Sequence, residues 1–399
     1  MKPLSKSVLS LAPSMTVAID TKAKELQAAG QDVVALGAGE PDFDTPDPVK
    51  EAAWASIKAG KTKYTAPTGL AELKKAVCAK LQSENGLSYS PDQIVVTSGV
   101  KHAVSNVLQT LINPGDEVII PAPYWVTYPE LVKLYGGTPV FLPTSVDSGY
   151  KITAEQLAKA VTPRTKLFLL CNPSNPTGMV YGRAELEAFA RVCVEHDLYI
   201  LSDEIYEHIL YDGRKPLSIA AISSEVKDRT IVVNGVSKAY AMTGWRVGYL
   251  AAPASIAKPI GALQSQATHH PANASQYAAI AALEGGLDFV HGMVREFTRR
   301  RDFVISELRT IPGVKVPTPE GAFYALPDVS SYYGRKTPEG ETIQDSLQLC
   351  AWLLSKHLLA VVPGAAFGDD RSIRLSYATS MEQLARALER LKRGLGELA

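Results

Sequence analysis

Five apolar bursts in the 399-residue chain each end on residues able to do chemistry. QIVVTSG (93–99) runs on into Val100 and Lys101, and DEVIIPAP (116–123) into Tyr124 and Trp125. KLFLLCNP (166–173) continues as Ser174-Asn175-Pro176-Thr177-Gly178. LYILSDE (198–204) contains Asp203 and reaches Tyr206, and TIVVNG (230–235) leads to Val236-Ser237-Lys238. In open α/β sheets ligands sit at the carboxyl ends of strands. A glycine before a helix start, as at Gly99, presents backbone N–H groups to an anion. A lysine in that setting, near other cations, has a lowered pKa and can condense with an aldehyde. An aspartate ending an apolar strand needs a cationic partner. The set reads as a site for a phosphate-bearing cofactor. Each residue also suits a plainer role: Asp203 a helix N-cap, Asn175 a tight Asn-Pro turn, Trp125 a core position.

The elements that position these residues alternate in type. Further bursts are TPVFLP (138–143) and VGYLAAP (247–253), and helical patterns cover 17–30, 47–60, 70–86 and 184–197. Near-continuous apolar strands between helices predict an α/β fold, its mixed, mostly parallel sheet covered on both faces. The tail differs: a long charge-laced helix over 287–311, strands over 321–329, 359–367 and 372–378, and a closing helix over 380–398. We expect a large domain over 48–286 and a smaller α+β domain from both chain ends, 1–47 and 287–399. The Arg299–Arg301 triplet reads as solvated helix surface.

Composition narrows the class. Apolar residues make up 46%, and 41 Lys+Arg balance 41 Asp+Glu, so the basic excess typical of nucleic-acid binding is absent. Cys78, Cys171, Cys193 and Cys350 form no CxxC pair, which signals neither a disulfide frame nor a metal site. Ser and Pro interrupt the N-terminal apolar stretch, and no run reaches the length of a membrane span. The expectation is a cytoplasmic enzyme acting on a small molecule.

Gly235-Val236-Ser237-Lys238-Ala239-Tyr240-Ala241-Met242-Thr243-Gly244-Trp245-Arg246-Val247-Gly248 resembles the lysine-attachment signature of class I aminotransferases, which depend on pyridoxal 5'-phosphate. LGAGEPDF (36–43), KTKYTAPTGL (61–70), NPSNPTG (172–178), SDEIYEHI (202–209) and IRLSYA (373–378) match other blocks of that family, in order. The match extends from about residue 30 to the last helix. It is nearest the bacterial aspartate and aspartate/prephenate branch.

The resemblance implies fold type I and a homodimer with shared active sites. It implies Lys238 as cofactor attachment and proton carrier, and Asp203 as partner of the pyridine nitrogen. Tyr206 and Asn175 would bond the ring oxygen, and Trp125 would stack on the ring. Gly99, Val100, Lys101, Ser237 and Arg246 would cradle the phosphate, joined by Tyr64 of a neighbouring subunit. Tyr64 also suits simple packing. Arg374, helped by the main chain at Gly39, would bind the substrate α-carboxylate, for which only arginine offers a planar fork. Lys101 would meet a distal carboxylate, favouring aspartate and glutamate, with 2-oxoglutarate as acceptor in a ping-pong cycle. Ala12 precedes Pro13-Ser14 where prephenate-using relatives carry a basic or amide side chain, which weakens that activity. Another amino donor, a β-lyase or synthase reaction, and a non-catalytic cofactor-binding protein stay open on these grounds. His269 and His270 suit either a pocket lining or a loop surface.

Overall fold

The computed structural model describes residues 2, 4–13 and 15–399. Among the described residues twelve strands form three sheets. They are β1 (Val34–Ala35), β2 (Ile94–Thr97), β3 (Glu117–Pro121), β4 (Thr138–Leu142), β5 (Thr165–Cys171), β6 (Tyr199–Asp203), β7 (Thr230–Gly235), β8 (Gly248–Ala251), β9 (Tyr324–Ala325), β10 (Leu359–Ala360), β11 (Val362–Pro363) and β12 (Ile373–Ser376). The main sheet has the order β2-β8-β7-β6-β5-β3-β4. Every neighbour pair is parallel except those of β8, which runs against β2 and β7.

Its strands are apolar throughout because both faces are covered. On β5, Leu167 and Leu169 enter the largest core cluster, while Phe168 and Leu170 enter a second one with Phe189 and Leu186 on the opposite face. The parallel strands all end in one direction, so the loops after β3, β5, β6 and β7 open together. β1 pairs with β10, and β11, β12 and β9 form a three-stranded antiparallel sheet.

Three readings from the sequence need correction. The segment 359–367 is not one strand: it is split between β10 and β11, which join different sheets, and a 3-10 turn follows at Gly364–Phe367. Pro363, lacking an N–H, sits where the ladder ends. Only Tyr324–Ala325 of 321–329 pairs as a strand. The Arg299–Arg301 triplet is not a solvated face, since Arg300 and Arg301 are buried. Arg300 pairs with Asp42 at 2.6 Å and Arg301 with Asp212 at 2.7 Å. Those pairs pin the long helix Asp288–Leu308 to the loop after β1 and to the segment after β6.

Candidate active site

The loops after β3, β5, β6 and β7 meet the loop after β1 around a cavity of about 480 Å³. Gly39, Val100, Lys101, Trp125, Asn175, Asp203, Tyr206, Ser237, Lys238, Arg246 and Arg374 all line it. Gly99 stands just behind, capping the helix Val100–Leu111 with φ +83°. A Cβ at Gly99 would displace the Arg246 guanidinium, and the left-handed φ is itself one that glycine adopts without strain. Arg246 itself holds a left-handed φ of +56°, a conformation costly for a side-chain-bearing residue and typical of functional sites. Free N–H groups at the start of that helix, with Ser237 and Arg246 beside them, form a cationic pocket suited to a phosphate.

Asp203 ends β6 fully enclosed. Its Oδ2 accepts from the Tyr128 hydroxyl at 2.7 Å and its Oδ1 from the Ile205 N–H at 3.3 Å. Burial raises its pKa to about 6 despite those bonds. Among the described residues no salt bridge neutralises it, so it awaits a cation. Lys238 donates to the Gly39 carbonyl at 2.5 Å. Burial first, then Arg246 and Arg374, lower its pKa to about 8 against the pull of Glu40. Near neutral pH a useful fraction is therefore the unprotonated nucleophile.

Arg374 is buried at the other side. Nη1 donates to Asn175 Oδ1 at 3.1 Å and Nη2 to the Gly37 carbonyl at 2.8 Å, while among the described residues Nε has no partner. Its guanidinium lies 4.6 Å from the Tyr324 ring centroid and 4.8 Å from that of Phe367. A buried, charged fork with an orphaned donor suits a carboxylate ligand. Tyr206 and Tyr324 share a hydroxyl contact at 2.9 Å. Lys101, exposed, places its ammonium 5.1 Å from the Trp125 ring centroid.

Tyr64 is not brought to this chain's cavity. It is 90% exposed, its ring 5.3 Å from that of His269 and 5.9 Å from that of His270. Those histidines do not line the cavity either. Arg371 pairs with Asp328 at 2.6 Å, away from the cavity.

A family model described as aminotransferase class I and II matches residues 31–391. The chain belongs to this family. The aspartate/prephenate aminotransferase of Cereibacter sphaeroides is 49% identical over 390 residues, covering 98% of each chain. The aspartate aminotransferase of a Bacillus species is 49% identical with the same coverage. Among solved structures, the aspartate aminotransferase of Rhizobium meliloti is 44% identical with a TM-score of 0.96 over the whole of both chains. That of Thermus thermophilus, determined with maleate, is 44% identical with a TM-score of 0.92, covering 99% of this chain and 100% of that one. The fold type I architecture expected from the motifs is the architecture observed, and the chain is a transaminase.

The site of this aminotransferase also contains residues that no motif flagged. Tyr128 holds Asp203, and Tyr324 sits between Tyr206 and Arg374. Thr16, Val17, Asp20 and Lys24 of the helix Met15–Ala28 close one side of the cavity. Tyr128 lies four residues after Tyr124 in a run of aromatic and small residues with no local signature.

Proposed function

We propose that the chain is an aspartate aminotransferase that uses pyridoxal 5'-phosphate to move the amino group of L-aspartate to 2-oxoglutarate. The observation that carries this reading is the convergence on one cavity of a lysine with lowered pKa, an uncompensated buried aspartate and a half-satisfied buried arginine. The residues fit the cofactor: Asp203 lacks the cation that a protonated ring nitrogen would supply, and the helix start at Val100 with Ser237 and Arg246 offers donors to its phosphate. When bound, the cofactor supplies an aldehyde that captures amines and a ring that accepts electrons from the substrate Cα.

The chain's own residues do the rest. Lys238 attaches the cofactor and, once freed, carries a proton from the substrate Cα. Asp203 stays ionised beside the ring nitrogen, with Tyr128 keeping its carboxylate in place. Tyr206 and Asn175 donate to the ring oxygen, and Trp125 covers the ring face. Arg374 and the main chain at Gly39 orient the α-carboxylate, and Lys101 receives the distal one. The homodimer, the placing of Tyr64 at the partner's phosphate and action in the cytoplasm complete the proposal. The strong exposure of Tyr64 and Trp54 supports the dimer, and the free cysteines suit a reducing compartment. The sheets support a division into 48–286 and the two chain ends. Among the described residues no helix is long and apolar enough to cross a membrane.

The test is the visible absorption of the protein loaded with pyridoxal phosphate. L-Aspartate at low concentration should bleach the band and 2-oxoglutarate should restore it. A band that responds only to L-phenylalanine or L-alanine rejects the dicarboxylate preference, and a protein that forms no band rejects the cofactor assignment. The prephenate-amino-acid pair is the further arm. The Ala12 N–H donates to Glu130 Oε2 at 2.9 Å and its methyl offers no donor, so prephenate should be the poorer acceptor; Ser14 lies outside the described residues.

Lys101→Met separates the two carboxylates. The substitution keeps a flexible side chain of similar length beside Trp125 and removes the charge that lies over its ring. The kcat/KM for L-aspartate should fall about 100-fold, a loss of roughly 2.7 kcal/mol, while that for L-phenylalanine changes less than about threefold. Equal losses for both donors in steady-state kinetics would place Lys101 in general binding instead.

A further inference from the structure

Directly after Tyr206 the chain places Glu207, a buried carboxylate that none of the roles above uses. Its Oε1 pairs with the ammonium of Lys80 and accepts from Asn234 Nδ2 at 2.5 Å, and its Oε2 accepts from Asn85 Nδ2 at 2.6 Å. Lys80 also donates to Asn85 Oδ1 at 2.7 Å and lies 3.4 Å from Glu84, whose carboxylate meets His208 Nε2 at 2.7 Å. Glu84, Glu207 and His208 cluster as metal ligands would. The Lys80 ammonium already counters both carboxylates, however, so the trio belongs to an ion-pair network. Burial alone would raise the pKa of Glu207, but Lys80 holds it down at about 2 and the side chain stays ionised.

The place of this network in the chain gives it a task. β6 and β7 run side by side, and a backbone bond from the Glu204 N–H to the Val233 carbonyl at 3.0 Å lies at the end of their ladder. Beyond it one strand continues into Tyr206 and the other into Ser237 and Lys238. Asn234 sits at the fork: its Nδ2 donates to Glu207, and its Oδ1 accepts from the Gly235 N–H at 2.7 Å. Among the described residues this amide is the hydrogen-bonded link between 204–208 and 234–238, beside the looser approach of the Lys238 ammonium to the Tyr206 ring at 5.9 Å.

We propose that Glu207 is a positioning residue, anchored on the helix Ala71–Asn85 by Lys80 and Asn85, whose carboxylate sets through Asn234 the separation of the loop bearing Asp203 and Tyr206 from the loop bearing Ser237 and Lys238. This rests on the roles proposed above for those four residues. A carboxylate suits the task better than a neutral group because it accepts three donors at once and each bond is charge-assisted. The network fixes the distance between a proton carrier and the groups around the ring, where small displacements cost rate.

Two substitutions separate positioning from scaffolding. Asn234→Ala cuts the link and leaves the Lys80–Glu207 pair in place. Leu73→Ala, in the core under the same helix, leaves every bond of the network in place and removes buried apolar contact, a large stability loss. In the loaded protein, Asn234→Ala should lower kcat about tenfold with KM near the wild-type value, and should move the pH midpoint of the visible band. Leu73→Ala should lower the melting temperature much further and leave that midpoint in place. In the cofactor-free protein, amide hydrogen exchange of 203–208 and 235–240 should quicken together in Asn234→Ala. A midpoint that tracks melting temperature across the two variants, or faster exchange confined to 235–240, overturns the proposal. If the wild-type protein forms no visible band, the functional reading fails, and the exchange experiment still decides whether the loops are coupled.

Discussion

Lys238→Ala should lower transamination of L-aspartate by about 10⁴-fold or more, because it removes both a nucleophile and a proton carrier. The same substitution should make the cofactor-free protein more stable at pH 7. The reason is the lowered pKa of about 8 against an ordinary lysine value of 10.5. Below pH 8 the amine is protonated in folded and unfolded chains alike, and the folded chain holds that charge at a penalty of burial and of nearby Arg246 and Arg374. Between about 8 and 10.5 the unfolded chain binds the extra proton, so wild-type stability rises with pH. The advantage of the alanine variant is therefore full below pH 8 and gone above 10.5. Thermal melts across that range check the sign. A variant that loses activity and also loses stability at pH 7 would make Lys238 a structural residue. Exogenous methylamine should restore part of the rate, since a small amine can occupy the space left by the side chain.

Much of this site could be read before any coordinates because its members cluster in sequence. Asp203 and Tyr206 share one block, Ser237, Lys238 and Arg246 another, and each follows an apolar burst long enough to be a strand. What stayed hidden is contributed across the chain. Tyr128 reaches Asp203 from 75 residues away and Tyr324 reaches Tyr206 from 118, and nothing in the local pattern of either tyrosine marks it. The buried Arg300 and Arg301 look like helix surface because their acceptors, Asp42 and Asp212, lie far off in sequence. The helix Asn273–Glu284 went unread for a different reason. Its alanine-rich run shows no single apolar stripe, since it packs against both Asp47–Lys58 and Ala71–Asn85. Tyr64 shows the limit of one chain: its exposed ring lies outside the cavity, and the role proposed for it needs a second copy.

Asp203→Asn is the second substitution with a large expected effect. The amide keeps the size of the carboxylate and can still accept from Tyr128, so the cavity should keep its shape. What disappears is the negative charge that would keep a ring nitrogen protonated, and loss of one such electrostatic partner in a closed site costs about 10³-fold in kcat. The loss should fall on kcat, with the KM for L-aspartate changing little, because Arg374 and Lys101 are untouched. Stability again moves the other way. Asp203 has a pKa of about 6 in the folded chain against an ordinary value of 3.8, so the unfolded chain ionises first as pH rises. Wild-type stability in the cofactor-free state therefore falls between about 3.8 and 6 and stays lower above that. Asparagine escapes this penalty, so the variant should melt higher than wild type at pH 7 and no higher at pH 3. Adding pyridoxal phosphate should stabilise the wild type more than the variant, because the ligand's cation meets a charge in one and an amide in the other. Equal stabilisation of both proteins by the cofactor would remove Asp203 from the role of its partner.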